Sequence, residues 1–183
     1  MITAMRGRLE IVLPDPCLVV LVGPAGSGKS TLAARQFAPD EILASDAFRA
    51  RLGMGEGDQA VSRRAFSALH AAVSRRLAQG LLTVVDATSV WPRARRGLVQ
   101  RAQVAGVPAV ALVLDLPEAD CLAGDLLRPG RHVLPGVIHD QWLALQASLG
   151  ATGGLGAEGF ASVHRLTTRA QADELLIGRQ RAR

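Results

Sequence analysis

Residues 23–30 form a glycine-rich loop that constrains the fold of this chain more than any other segment. The loop reads GPAGSGKS and matches the pattern G-x-x-x-x-G-K-[ST]. It directly follows a continuous apolar run, LVVLV at 18–22, and it leads into a helical pattern over 29–37. A run that is apolar at every position is typical of a parallel strand covered on both faces. The segment therefore predicts a strand, a tight loop and a helix at the centre of an α/β fold.

Further apolar runs with helical patterns between them extend this alternation along the chain. Strands are predicted at 42–44, 82–85, 109–114 and 160–166, with an edge strand at 8–13. Helices are predicted over 59–79, 92–105, 118–127, 135–149 and 170–177. The glycine-rich stretch 150–159 is interpreted as a mobile loop, and the basic tail 178–183 as a frayed end or the start of a linker. We expect one domain over 1–183, with a core of about 8–177. Its mostly parallel sheet has about five strands flanked by helices.

The loop has the residues that phosphate binding requires. Glycines allow positive φ angles and let backbone N–H groups wrap an anion, and the following helix points its positive end at the same place. Lys29, the single lysine of the chain, can reach the β- and γ-phosphates, and the Ser30 hydroxyl can bind Mg²⁺. The predicted cofactors are ATP or another nucleoside triphosphate, and Mg²⁺. The predicted nucleotide-binding residues in the loop are Gly23, Ala25, Gly26, Ser27, Gly28, Lys29, Ser30 and Thr31.

Asp46 and Arg49 follow the second predicted strand of the sheet. In a helix that begins near Asp46, the two side chains share one face. A carboxylate beside the phosphate loop can orient an attacking hydroxyl and accept its proton, and Arg49 can bind an anion on the acceptor. An N-terminal helix cap with a surface arginine is the alternative interpretation of the same residues. After a phosphate-binding loop, we favour a catalytic and acceptor-binding role for both.

Two later features complete the predicted site. The strand at 82–85 ends in Asp86, a position from which a carboxylate can support Mg²⁺ through Ser30 or through a water. Arg128 and Arg131 flank a Pro-Gly turn between two predicted helices. A lid that brings these arginines over the triphosphate would neutralise charge during transfer, an effect that can reach about 10³-fold. A solvated surface turn is the alternative.

The composition excludes several other classes of protein. The longest apolar runs, 17–22 and 109–114, are far shorter than the roughly 18 residues of a membrane-spanning helix, and no signal peptide is evident, so we expect a cytoplasmic protein without membrane contact. Cys17 and Cys121 are expected to be reduced core residues. The net charge of +5 fits either a partner that is rich in phosphate or a genome whose base composition favours arginine codons. Four arginines on one predicted helix fit a solvated face or a track for a nucleic-acid backbone; they are Arg93, Arg95, Arg96 and Arg101.

Taken together, the segments GPAGSGKST, ASDAFR, LTVVDAT, LDLP and R-x-x-R resemble the kinase module of bacterial polynucleotide 5′-kinase/3′-phosphatase RNA-repair enzymes. The resemblance covers about residues 8–166. It implies ATP-dependent phosphorylation of a 5′-hydroxyl at an RNA or DNA end, with Asp46 as general base and Arg49 on the phosphate next to the terminal nucleoside. It also implies that Lys29 and Ser30 hold ATP and Mg²⁺, and that Arg128, with Arg131 as a second arginine, contacts the transferring phosphates.

The chain departs from that family at a few positions. Ser89 stands where the resemblance leads us to expect Asn, and Gly124 and Asp125 stand where it leads us to expect Arg and Asn. Full-length members also carry a metallophosphatase and a ligase-like domain, which do not fit in 183 residues. We therefore expect an excised kinase module or a stand-alone relative.

Two other functions remain open at this point. A small-molecule alcohol kinase of the same architecture would use Asp46 in the same way, on an acceptor held in a narrow pocket. A non-catalytic nucleotide-dependent switch would bind ATP without needing Asp46 or Arg49, and for that reason we rank it last.

Overall fold

The computed structural model describes residues 3–5, 8–51, 59–128, 130 and 132–181. The helices are α1 (Lys29–Gln36), α2 (Ser45–Arg51), α3 (Gln59–Ala78), α4 (Pro92–Val104), α5 (Glu118–Leu126), α6 (Pro135–Gly150) and α7 (Arg169–Glu174). The strands are β1 (Thr3–Met5), β2 (Arg8–Asp15), β3 (Leu18–Val22), β4 (Ile42–Ala44), β5 (Thr83–Asp86), β6 (Ala109–Leu114), β7 (Ser162–Leu166) and β8 (Leu176–Arg181). Short 3-10 helices cover Pro39–Glu41 and Gly154–Glu158.

The central sheet confirms the predicted fold class. Its five strands run in the order β4-β5-β3-β6-β7, and every neighbouring pair is parallel. β3 is buried at every position, as its uninterrupted apolar sequence predicted, and β6 is buried at every position as well. Because all five strands point the same way, the segments that follow them all leave the sheet at the carboxyl ends of the strands.

Side chains of β3 alternate between two hydrophobic cores, one on each face of the sheet. Leu18 and Val20 pack with apolar side chains of α3, α4 and α6. Val19 and Leu21 pack with those of α1, α7 and β2. The helices on both faces make the sheet the middle layer of a three-layer α/β structure.

A second, smaller sheet differs from the sequence expectation. The strand expected at the edge of the main sheet is β2, which pairs instead with β1 and with β8. Ile11 and Leu13 are fully buried while Val12 is 51% exposed, so β2 has the alternation of a sheet with one buried face. The expectation that the tail is frayed is wrong for residues 178–181, because they belong to β8 and pair in parallel with β2.

The glycine-rich stretch 150–159, expected to be a mobile loop, is anchored instead. It contains the 3-10 helix Gly154–Glu158, whose Leu155 is buried in the core that α3, α4 and α6 share. Glu158 forms an ion pair with Arg95 of α4. In the described residues, no helix is long and apolar enough to cross a membrane.

Candidate active site

The glycine-rich loop joins β3 to α1 and packs directly against α5. Gly26 and Gly28 have φ angles of 73° and 94°, the left-handed conformation that glycine adopts readily. A Cβ on Gly26 would lie 1.9 Å from the carbonyl oxygen of Cys121, and one on Gly124 would lie 2.2 Å from the carbonyl oxygen of Gly26. These glycines therefore serve close packing between loop and helix as well as the turn itself.

Lys29 lies folded back into its own loop. Its Nζ donates to the carbonyl oxygen of Pro24 at 2.7 Å and to Ser27 Oγ at 3.4 Å, and the residue is only 8% exposed. Burial lowers the pKa of Lys29 to about 8, and the nearby Asp86 carboxylate opposes that shift most strongly. The ammonium is thus desolvated in advance, which strengthens its attraction to an incoming phosphate.

Neighbouring segments hold the loop from outside. The N–H of Gly23 donates to the carbonyl oxygen of Thr88, just after β5, at 3.1 Å. The N–H of Ala25 donates to Oε1 of Gln141, a buried residue of α6, at 2.8 Å. The backbone of the loop is therefore braced by hydrogen bonds within the protein.

Asp46 lies between two arginines at the same edge of the sheet. Helix α2 begins at Ser45, so Asp46 and Arg49 share a face, and Arg49 Nη1 donates to Asp46 Oδ1 at 3.1 Å. Arg128, 82 residues further on, donates from Nη2 to Asp46 Oδ2 at 3.2 Å. The three side chains are 61%, 33% and 49% exposed in the order Asp46, Arg49, Arg128. An accessible carboxylate with two cations beside it can bind a hydroxyl and a phosphoryl group together.

Arg128 reaches this position from a turn whose base is fixed. Asp125, buried at the end of α5, accepts the Val133 N–H through Oδ2 at 2.9 Å. The ring nitrogen Nδ1 of His132 lies 2.9 Å from the Asp125 carbonyl oxygen. The turn that carries Arg128 is therefore closed at both ends, while Arg131 lies outside the described residues.

Oxygen donors suited to a divalent cation lie next to the loop. Ser30 and Thr31 are exposed in the first turn of α1. Asp86 is half-buried at the end of β5, where it pairs in register with Ala44 of β4, two residues before Asp46. In the described residues, no group of three or more His, Cys, Asp or Glu could hold a metal ion by itself. This set fits Mg²⁺, which takes few protein oxygens and completes its coordination with phosphate and water.

The sequence of the chain matches a known family. Residues 18–149, which include the loop, Asp46, Asp86 and Arg128, match the family model described as "AAA domain". The chain belongs to the AAA domain family. No curated protein sequence matches it significantly.

Solved structures similar to this AAA domain include kinases and a chain of an RNA repair complex. A chain of the Pnkp1/Rnl/Hen1 RNA repair complex matches with a TM-score of 0.63 and 23% identity, over 74% of this chain but 46% of that one. A sugar kinase from Janibacter sp. HTCC2649 matches with a TM-score of 0.59 and 20% identity, over 86% and 88%. The Mycobacterium tuberculosis APS kinase CysC, solved with AMPPNP and APS, matches with a TM-score of 0.53 and 20% identity, over 88% and 96%. The AAA domain therefore has the P-loop kinase fold, and it spans less than half the length of the RNA-repair chain.

One member of the predicted arginine face of α4 has a different environment. Arg95 is fully buried, and its guanidinium donates to Glu158, Ser148 Oγ and the carbonyl oxygens of Ser89 and Val90. The expectation that Arg95 lies on a solvated face or a nucleic-acid track is wrong, whereas Arg93 and Arg96 are exposed. Ser89, with φ of 47°, is held in the turn after β5 by this contact.

Sequence reasoning missed Gln141 and Arg169, which both contact the phosphate loop of the AAA domain. Gln141 lies 116 residues from Ala25, and Arg169 lies 143 residues from Gly26, whose carbonyl oxygen it approaches at 3.4 Å. Neither residue belongs to a motif, and no local periodicity marks them. Arg169 also lies beyond the stretch 18–149 that matches the family model.

Proposed function

We propose that this AAA domain is an ATP-dependent polynucleotide 5′-hydroxyl kinase, folded as one kinase domain. The observation that carries the proposal is the contact of Asp46 with both Arg49 and Arg128, at the edge of the sheet where the phosphate loop also lies. A general base, an acceptor-side cation and a lid cation in one cluster match what phosphoryl transfer to a hydroxyl requires. A nucleotide-dependent switch has no use for this cluster.

The reaction divides between the two halves of the site. Lys29 and the loop N–H groups hold the β- and γ-phosphates of ATP, and Asp46 accepts a hydrogen bond from the 5′-hydroxyl and aligns its oxygen with the γ-phosphorus. The new bond joins that oxygen to the γ-phosphorus, the bond from the γ-phosphorus to the β–γ bridging oxygen breaks, and ADP leaves. Because a carboxylate is a far weaker base than an alkoxide, Asp46 takes the proton late in the transfer.

Arg128 provides a cation that can exchange its partner Asp46 for the γ-phosphate of ATP. Its partner in the structure is Asp46, at an exposed position where ion pairs contribute little free energy. A γ-phosphate offers Arg128 two or more negatively charged oxygens in place of one carboxylate oxygen. If the Arg128 guanidinium bound the γ-phosphate, Asp46 would become available to the acceptor hydroxyl.

Ser30 and Asp86 would hold Mg²⁺, the second directly or through a water. When bound, Mg²⁺ would neutralise part of the negative charge of the triphosphate. Asp86 also acts on Lys29, independently of any metal, because its carboxylate favours the charged form of that buried lysine.

Support for a polynucleotide acceptor comes from charge and access. The chain has a formal net charge of +5, and Arg49, which is one-third exposed, lies on the acceptor side of Asp46. Phosphates next to the reacting hydroxyl would bind there, and Arg93 and Arg96 present further exposed cations. Asp46 itself is 61% exposed, as the end of a polymer would require. The proposed partners therefore include RNA or DNA with a 5′-hydroxyl, and phosphatase and ligase-like domains of a larger repair enzyme.

A small-molecule alcohol kinase is the alternative function. It is favoured by the likeness to a sugar kinase, which extends over 86% of this chain and 88% of that one. Both functions use Asp46 and Arg128 in the same way, and they differ in what Arg49 binds.

The test is transfer from γ-labelled ATP in the presence of Mg²⁺ to a short single strand with a 5′-hydroxyl. A strand with a 5′-phosphate and the Asp46→Asn variant are the matched controls. The proposal expects label on the 5′-hydroxyl strand alone, lost in Asp46→Asn, with acceptor affinity that weakens as salt rises. Transfer to sugars or other small alcohols but to no strand would replace it with the alternative.

A further inference from the structure

Arg169 places a guanidinium beside the phosphate loop from a segment that no motif marks. Its Nη2 donates to the carbonyl oxygen of Asp120 at 3.1 Å and to that of Gly26 at 3.4 Å. Its Nη1 lies 3.1 Å from the position that a Cβ on Gly28 would occupy. The guanidinium therefore faces the last turn of the loop, where α1 begins.

A glycine in α5 makes room for this contact. A Cβ on Gly124 would lie 3.0 Å from Arg169 Nη2 as well as 2.2 Å from the carbonyl oxygen of Gly26. Any side chain at position 124 would compete with Arg169 for the space beside the loop. The chain thus provides its cation here from the start of α7.

The order of the strands shows which end of a bound nucleotide would lie near Arg169. The phosphate loop follows β3 in the middle of the sheet. Asp46 follows β4, the outermost strand on one side, and Arg169 follows β7, the outermost strand on the other side. Asp46 and Arg169 therefore flank the loop on opposite sides. A triphosphate whose γ-phosphate faces Asp46 must extend its α-phosphate and nucleoside toward β7 and α7.

A groove between α1 and α7 lies on that side. Its lining includes Ser27, Gly28 and Thr31 from the loop and α1, and Arg169 and Asp173 from α7. Arg35, which also lines it, is held by α7, since it pairs with Asp173 at 3.5 Å and donates to the carbonyl oxygen of Ala172. Arg35 therefore fixes the wall of the groove. Of the two arginines that line the groove, Arg169 is the one that contacts the loop.

We propose that Arg169 binds the α-phosphate of the nucleoside triphosphate, and that the groove between α1 and α7 takes the adjoining sugar. The inference rests on the proposed function, because that function sets the γ-phosphate toward Asp46. Hydrogen bonds between a guanidinium and a phosphate are among the stronger ones in proteins. Since Arg169 is half-buried, water competes for part of this interaction, and we expect its loss to weaken ATP binding about tenfold.

The test measures nucleotide binding without any acceptor, so it does not depend on what the enzyme phosphorylates. ATP is titrated into wild type, Arg169→Ala and Arg169→Lys, with Arg75→Ala as a charge-matched control. Arg75 is exposed near the end of α3, which leads into the start of β5, whereas the phosphate loop follows the carboxyl end of the parallel strand β3. The Sp and Rp diastereomers of ATPαS, which differ only in the placement of sulfur on the α-phosphate, are titrated in parallel without divalent metal.

We expect Arg169→Ala to raise the ATP Kd about tenfold, Arg169→Lys to recover part of the loss and Arg75→Ala to match wild type. Wild type should prefer one ATPαS diastereomer, and Arg169→Ala should reduce that preference. An unchanged ATP Kd would overturn the inference. So would a raised Kd with an unchanged diastereomer ratio and a lower Tm, because Arg169 would then only brace α5 against the loop. If the nucleotide results hold and no 5′-hydroxyl strand is labelled, the proposed acceptor fails while the assignment of Arg169 stands.

Discussion

The phosphate loop and the proposed acceptor side, formed by Asp46, Arg49 and Arg128, follow the carboxyl ends of strands of one sheet, yet they are held in place by different means. The backbone of the loop packs at Gly26 against Cys121 and donates from Ala25 to the Gln141 side chain, and the loop's lysine is only 8% exposed. The acceptor side is built from charged side chains that are one-third to nearly two-thirds exposed. The buried half is fixed by the fold, whereas the side chains of the exposed half are held mainly by ion pairs with one another. Substitutions in the two halves should therefore differ sharply in their effect on stability.

Gly26→Ala should produce the largest effect. A methyl group there would lie 1.9 Å from the Cys121 carbonyl oxygen, at a residue with φ of 73°. Gly106→Ala is the matched control, because Gly106 has φ of 69° and no atom within 4 Å of the added methyl. We expect the control to lose about 1 kcal/mol of unfolding free energy and Gly26→Ala to lose at least about 3 kcal/mol, together with ATP binding. Equal losses in urea denaturation would show that α5 does not pack against the loop.

Arg95→Met should follow, with a loss of about 3 kcal/mol. The substitution leaves Glu158 without its ion-pair partner and removes the guanidinium donor from the carbonyl oxygens of Ser89 and Val90. The Val90 oxygen still accepts from the Ser148 hydroxyl. Adding Glu158→Gln should recover part of the loss, because the uncompensated charge is then removed. The check is chemical denaturation of both variants. Wild-type stability in Arg95→Met would mean that α4 does not depend on this buried network.

These first two residues show where sequence reasoning succeeded and where it could not. The loop, β3 and the helix that starts near Asp46 were predictable because local pattern and chemistry agree over a few residues. The burial of Arg95 was not, since its partner Glu158 is 63 residues away in a stretch that reads as a glycine-rich loop. For the same reason the β2–β8 pairing was missed: a strand's sequence shows that one face is buried but not which strand lies beside it.

Gln141→Met should have a smaller effect, about 1 kcal/mol of unfolding free energy and a few-fold weaker ATP binding. Methionine keeps the length of the side chain but cannot accept the Ala25 N–H, which then loses its partner inside the protein. Thermal unfolding and an ATP titration measure the two effects. If neither changes, Gln141 does not brace the loop.

Arg128→Ala should be the least disruptive to stability, within about 0.5 kcal/mol of wild type, because its pair with Asp46 is exposed. The same variant should lose transfer by up to about 10³-fold, since the cation would act on the transferring phosphoryl group. A loss of stability comparable with that of Arg95→Met would contradict the division into a fixed half and an adjustable half.

The most direct test of the central claim measures ATP binding and phosphoryl transfer side by side in Lys29→Ala and Asp46→Ala. We predict that both variants abolish transfer to a 5′-hydroxyl strand. Only Lys29→Ala should greatly weaken ATP binding, because Lys29 belongs to the buried phosphate half and Asp46 to the exposed acceptor half. Equal ATP affinity in the two variants, or transfer that persists without Asp46, would contradict the account.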